Sequence, residues 1–72
     1  MNIYVTFGQI HVHSINGKTF DKDCIAMFQA KNIQEGCKQA FEYFGNKFFS
    51  VYPSKKITSK FLSYFPRGII EL

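Results

Sequence analysis

Asn32–Gly45 reads NIQEGCKQAFEYFG. Ile33, Cys37, Ala40, Phe41 and Phe44 recur at the spacing of one helical face. Asn32 is a good N-cap, because its side-chain oxygen can accept from an orphan amide of the first turn. Glu35, three positions on, approximates a capping box with it. Gly45 supplies the left-handed residue that commonly ends a helix. Gly36 is the dissenter and should cost about 1 kcal/mol relative to alanine. Gln34, Lys38, Gln39 and Glu42 belong to the solvent side, with Lys38 and Glu42 as an i,i+4 pair. The spacing predicts one amphipathic helix that buries Ile33, Phe41 and Phe44, worth roughly 1.5–3 kcal/mol each.

Upstream, Ile3, Val5 and Phe7 alternate with Asn2, Tyr4 and Thr6, the period of a half-buried strand. Asn16-Gly17 at the centre of QIHVHSINGKTFDKD is a strong hairpin signal of type I′. A two-residue turn there pairs Ile15 with Lys18, His13 with Phe20 and His11 with Lys22. Cys24–Ala30 (CIAMFQA) is apolar on both faces and reads as a central strand. Downstream, Lys47–Tyr52 (KFFSVY) reads as a strand closed by Pro53-Ser54. Ile57–Phe65 suits a short helical turn stopped by Pro66, and Gly68–Leu72 suits a terminal edge strand. Strands, helix, strands is the order of an α+β fold: a largely antiparallel sheet of four to five short strands with one main helix packed across it. Seventy-two residues make one such domain, spanning 1–72, with a modest core.

Composition bounds the function classes. No run of apolar residues is long enough for a transmembrane helix, and MNIYVTFGQ lacks the basic start and apolar core of a signal peptide. Cytoplasmic residence is expected. Two cysteines, Cys24 and Cys37, read as reduced thiols rather than a disulfide framework. A formal charge of +4 permits an acidic partner without demanding one.

His11 and His13 lie two apart, so a strand would put both rings on one face. Such a pair could take a transition metal with Asp21, Asp23 or Cys24. The hairpin register turns Asp21 and Asp23 to the opposite side, so no metal and no other cofactor is expected. The Asp21/Asp23 pair and a Cys24–histidine pair are weak as acid/base or nucleophilic devices. No glycine-rich phosphate loop, oxyanion-hole motif or metalloprotease signature accompanies them. A non-enzyme is expected.

The last third offers more. Between Tyr43 and Ile70 the acidic residues stop, while Lys47, Lys55, Lys56, Lys60 and Arg67 are interleaved with Tyr52, Phe61, Tyr64 and Phe65. Phosphate-neutralising lysines among stacking rings are what a single-stranded nucleic acid needs. A small core needs rings and a surface needs lysines as well. Separately, SYFPRG shapes a turn that displays Arg67 between aromatics, a pattern of protein-interface anchors.

YVTFGQIHVHSINGKTFDKDC, the helix end AFEYFGNKF and the closing YFPRGIIEL together resemble small proteins encoded by bacteriophages and prophages. The resemblance spans most of the chain. Its motifs are short and transfer no residue roles. It implies an anti-defence context, such as that of anti-CRISPR proteins, and a host or defence-system protein as partner. The basic charge departs from the acidic DNA mimicry used by many such inhibitors. The expected function is therefore inhibition by occupying a host protein surface, through His11, His13, Tyr64 and Arg67. The alternative is a nucleic-acid-binding module using Lys55, Lys56 and Lys60.

Overall fold

A computed structural model describes all of residues 1–72. Its elements are β1 (Asn2–Thr6), β2 (His13–Ile15), β3 (Lys18–Phe20), β4 (Cys24–Gln29), α1 (Ile33–Phe44), β5 (Ser50–Pro53), a 3₁₀ turn (Ser54–Lys56), α2 (Ser59–Leu62) and β6 (Gly68–Glu71). The fold is α+β. One sheet has the order β5-β1-β4-β6, and β2-β3 form a separate hairpin. β1 pairs antiparallel with β4 and β5, whereas β6 joins β4 in parallel.

The helix begins as its sequence dictates. The Glu35 amide donates to Asn32 Oδ1 at 2.9 Å, and Gly45 ends it at φ 64° and ψ −139°, positive in φ as glycine allows but outside the left-handed helical region expected. The buried face is rotated from the expected one. Gly36, Ala40 and Phe44 are buried, while Phe41 is 55% and Ile33 38% exposed. The reason is Ile3, fully buried under α1. A Cβ on Gly36 would stand 2.6 Å from Ile3 Cδ1, so the helix rests on β1 where it lacks a side chain. Phe41 is displaced to the flank, where its ring meets Phe48 edge-on at 5.1 Å.

The hairpin follows its Asn-Gly turn, with φ of 52° at Asn16 and 77° at Gly17. Its register pairs His13 with Phe20 and Ile15 with Lys18 as expected. The ladder stops there, and the expected His11–Lys22 pair does not form. Instead the Asp23 amide donates to Asp21 Oδ1 at 3.0 Å, an Asx turn that swings the chain into β4. His11 lies outside any strand.

On the α1 side of the sheet, Ile3, Val5, Phe7, Cys24, Ala26 and Phe28 join Phe20, Ala40 and Phe44 in one core. β1 departs from the half-buried expectation: Tyr4 and Thr6, on its other face, are buried too. That second face carries Ile25 of β4 and Tyr52 of β5. Phe61 of α2 packs on Tyr52 at 5.2 Å, and Phe65 packs on Phe61 at 5.3 Å. The molecule therefore has three layers, α1 with the hairpin, the sheet, and the α2 segment. β5 begins later than expected, at Ser50, and includes Pro53. No helix is long and apolar enough to cross a membrane.

Candidate binding cleft

The third layer leaves a cleft of about 610 Å³ between α2 and the end of β1. Its aromatic walls are Phe49, Tyr52, Phe61, Tyr64 and Phe65. Local chemistry places each ring. The Phe49 amide donates to the Thr6 carbonyl at 2.8 Å, so Phe49 and Ser50 both stand opposite Thr6, the two-against-one arrangement of a β-bulge. Thr58 caps α2, its Oγ1 accepting from the Phe61 amide at 3.2 Å, which fixes the turn that carries Phe61. The Phe65 amide continues the turn to Leu62 O at 3.0 Å before Pro66 breaks it. Gly8, at φ 66°, passes directly beneath the Phe49 ring.

Two of the rings are presented to solvent: Phe49 is 70% exposed and Tyr64 67%. The loop that contributes Gly8 and Gln9 continues into Ile10 and Val12, exposed by 83% and 69%. The polar side chains of the lining include Thr6 and Lys22. The Thr6 hydroxyl is buried and has no hydrogen-bond partner. Lys22 Nζ reaches Asp23 Oδ1 at 3.3 Å on an exposed rim.

The residues singled out in the sequence separate into different places. Tyr64 is at the cleft mouth. Lys60 is exposed on α2 next to Phe61. Lys55 lines a shallow depression with Met1, Asn32 and Ile33, at the opposite end of β1 from Thr6. Five residues of strand rise put these ends about 17 Å apart. Lys56 is exposed in the same 3₁₀ turn as Lys55. Arg67 is paired within the chain: Nη1 lies 3.1 Å from Asp21 Oδ1, and its amide donates to Asp23 O at 2.9 Å. The Asp23 amide, and after it the Arg67 guanidinium, hold the Asp21 carboxyl below its ordinary range.

His13 packs into the core end of the hairpin. Its ring centroid is 4.9 Å from Phe44 and 5.7 Å from Phe7, and Nε2–H donates to Lys47 O at 2.6 Å. His11, half-buried, is on the loop between Ile10 and Val12. Nowhere do three His, Cys, Asp or Glu side chains come together as metal ligands. Burial raises the Cys24 thiol above its ordinary range, which disfavours the nucleophilic thiolate.

Phe49, Ile10 and Val12 were not singled out from sequence. Phe49 follows Phe48 in an apolar run, and only the strand phase decides which of the two turns inward: Phe48 packs against the core and Phe49 does not. Comparison with protein-family models, curated proteins and solved structures returned no match to this chain.

Proposed function

We propose that this chain is a non-enzymatic interaction protein that grips a partner protein through the aromatic cleft and the Ile10–Val12 loop beside it. The observation that carries this reading is the exposure of Phe49 and Tyr64 on one apolar cleft, with Ile10 and Val12 exposed on the loop that gives the cleft Gly8 and Gln9. Aromatic anchors of this kind dominate protein-interface energetics, and exposed aliphatic side chains have no use in gripping phosphates. The sequence resemblance to small phage proteins makes a bacterial defence complex, or another host complex, the class of partner. Binding there would inhibit by occupying the partner's surface. Tyr64 remains an anchor in this scheme. Arg67 serves the fold of the turn instead, through Asp21.

The experiment is affinity capture from bacterial host lysate with paired variants. Phe49→Ala and Tyr64→Ala should each release the protein partner, while Lys55→Ala retains it. Unchanged retention by the Phe49→Ala/Tyr64→Ala double variant would sink the reading.

A second reading, single-stranded nucleic-acid binding, is favoured by one observation. Tyr52, Phe61, Tyr64 and Phe65, interleaved with lysines in sequence, line one cleft together with Lys22. Stacking platforms beside a cation suit an unpaired strand. Against it, Lys55 faces the far end of the molecule and leaves the cleft with little positive charge. Fluorescence anisotropy with labelled oligothymidylate distinguishes the two readings.

A further inference from the structure

The two outer strands of the sheet are treated differently. At β6, the Leu72 amide donates to Met27 O at 2.9 Å, so the neighbouring Glu71 carbonyl points outward. Lys18, the first residue of β3, donates Nζ to that carbonyl at 2.6 Å. One edge is thus covered by the molecule's own side chain. β5, the opposite edge, has no such cover.

The polarity of β5 follows from β1. Met1 and Ala30 exchange both hydrogen bonds, at 2.6 and 2.9 Å. The odd-numbered residues of β1 therefore bond to β4, and Tyr4 and Thr6 bond to β5. Their partners are Tyr52 and Ser50. Val51 and Pro53 consequently turn their backbone groups away from the sheet. Pro53, with no N–H to lose, suits that position. Val51 presents both an amide and a carbonyl, and Pro53 a carbonyl, with no partner in the hydrogen-bonding pattern beyond the ladder.

We infer that the open edge of β5 receives an extended, acidic segment of the partner protein, which pairs at Val51 and sends an apolar side chain into the aromatic cleft. This rests on the cleft being the interaction surface. A strand added beside β5 places its alternate residues about 5 Å from Tyr52, on the face where Tyr52 lines the cleft. Backbone pairing supplies affinity and the cleft supplies side-chain choice, as in other strand-addition complexes.

Charge selects the occupant. Lys47 precedes β5, Lys55 and Lys56 follow it, and no acidic residue occurs from Tyr43 to Ile70. A segment with carboxylates flanking its apolar core complements the basic residues that bracket β5 along the chain. A second copy of this chain does not fit. Antiparallel pairing of two β5 strands about Val51 gathers the Lys47, Lys55 and Lys56 of both copies at the two ends of the paired run, with no acidic residue between Tyr43 and Ile70 to offset them. Pro53 confines the pairing to a short run.

The test selects linear peptides from a displayed random library with the full chain as bait, then measures the enriched peptide as a synthetic ligand. The expected consensus alternates apolar residues between flanking acids. Val51→Pro, with its melting checked, should weaken binding at least about tenfold, because it removes the one outward amide. N-methylation of the peptide backbone should do the same without altering the protein. Tyr64→Ala should weaken it as well. Loss with Tyr64→Ala but none with Val51→Pro or N-methylation overturns edge pairing and leaves the cleft reading standing. Loss with none of the three overturns both. Failure to enrich any peptide, concentration-dependent self-association of the chain, or displacement of the peptide by oligothymidylate at physiological salt also overturns the inference.

Discussion

Gly36 carries opposite arguments at two levels. Helix propensity alone favours alanine there by about 1 kcal/mol. Packing opposes it, since the added Cβ would meet Cδ1 and Cγ1 of the fully buried Ile3 at 2.6 and 2.7 Å and force that side chain to shift within the core. Overpacking of this kind costs about 1–3 kcal/mol. Gly36→Ala should therefore lower the denaturant midpoint, and a raised midpoint would show that helix and strand separate easily. The same geometry divides the helix phenylalanines. Phe44 packs with Phe7, His13 and Phe20, and Phe44→Ala should cost about 3–5 kcal/mol. Phe41, half in water, should cost clearly less on the same urea titration. Asp21 gives a pH signature. Its folded carboxyl titrates below the ordinary value of 3.8, so the unfolded chain binds the proton more readily. The stability it contributes is present above that value and is lost as pH falls through the folded one. Asp21→Asn should flatten this part of the acid melt and leave the dependence above neutrality unaltered.

At the scale of elements, local chemistry was legible and tertiary context was not. The Asn32 cap, the Gly45 stop and the Asn16-Gly17 turn each act within a few residues, and each appears where its sequence implies. The register of β2-β3 follows from the turn alone as far as His13 and Phe20. Beyond them the Asx turn at Asp21 competes with the ladder and wins, because it delivers Cys24 to the core. The parallel joining of β6 to β4 has no local signal, since the connection is made across the whole second half of the chain. β1 shows the same limit: Tyr4 and Thr6 look solvent-facing by alternation and are buried by a layer that arrives only with the α2 segment, near the other end of the sequence. That layer is thin. α2 spans only Ser59–Leu62, and it is tied down through Phe61 against Tyr52 and Phe65. Phe61→Ala should release it locally. Hydrogen exchange should accelerate from Ser59 to Phe65 while the β1 and β4 amides stay protected. Uniform acceleration across the sheet would mean that the third layer is part of the global fold.

For the whole molecule, the decisive feature is how charge and aromatic surface are distributed. In sequence the lysines and rings of the last third are mixed, and no reading of spacing separates them. In space the rings of Tyr52, Phe61, Tyr64 and Phe65 gather in the cleft, while Lys55 faces the opposite end of β1. A protein partner held by the cleft and a nucleic acid held by lysines then respond differently to salt and to mutation. Each phosphate neutralised releases counterions, so a nucleic-acid complex weakens steeply with salt, and removing one contacting lysine lowers the salt slope by about one unit. A protein complex anchored by rings depends on burial. Phe49→Ala and Tyr64→Ala should each cost about 2 kcal/mol or more, expressed as faster dissociation. Lys55→Ala and Lys56→Ala should instead slow association with an acidic partner, an effect that fades as salt screens it. Stopped-flow measurement of the four variants at low and physiological salt separates the patterns. The expected outcome is ring variants altered in dissociation at both salts and lysine variants altered in association only at low salt. Sub-micromolar binding of oligothymidylate at physiological salt, with a slope reduced by each lysine change, would transfer the function to the nucleic-acid reading.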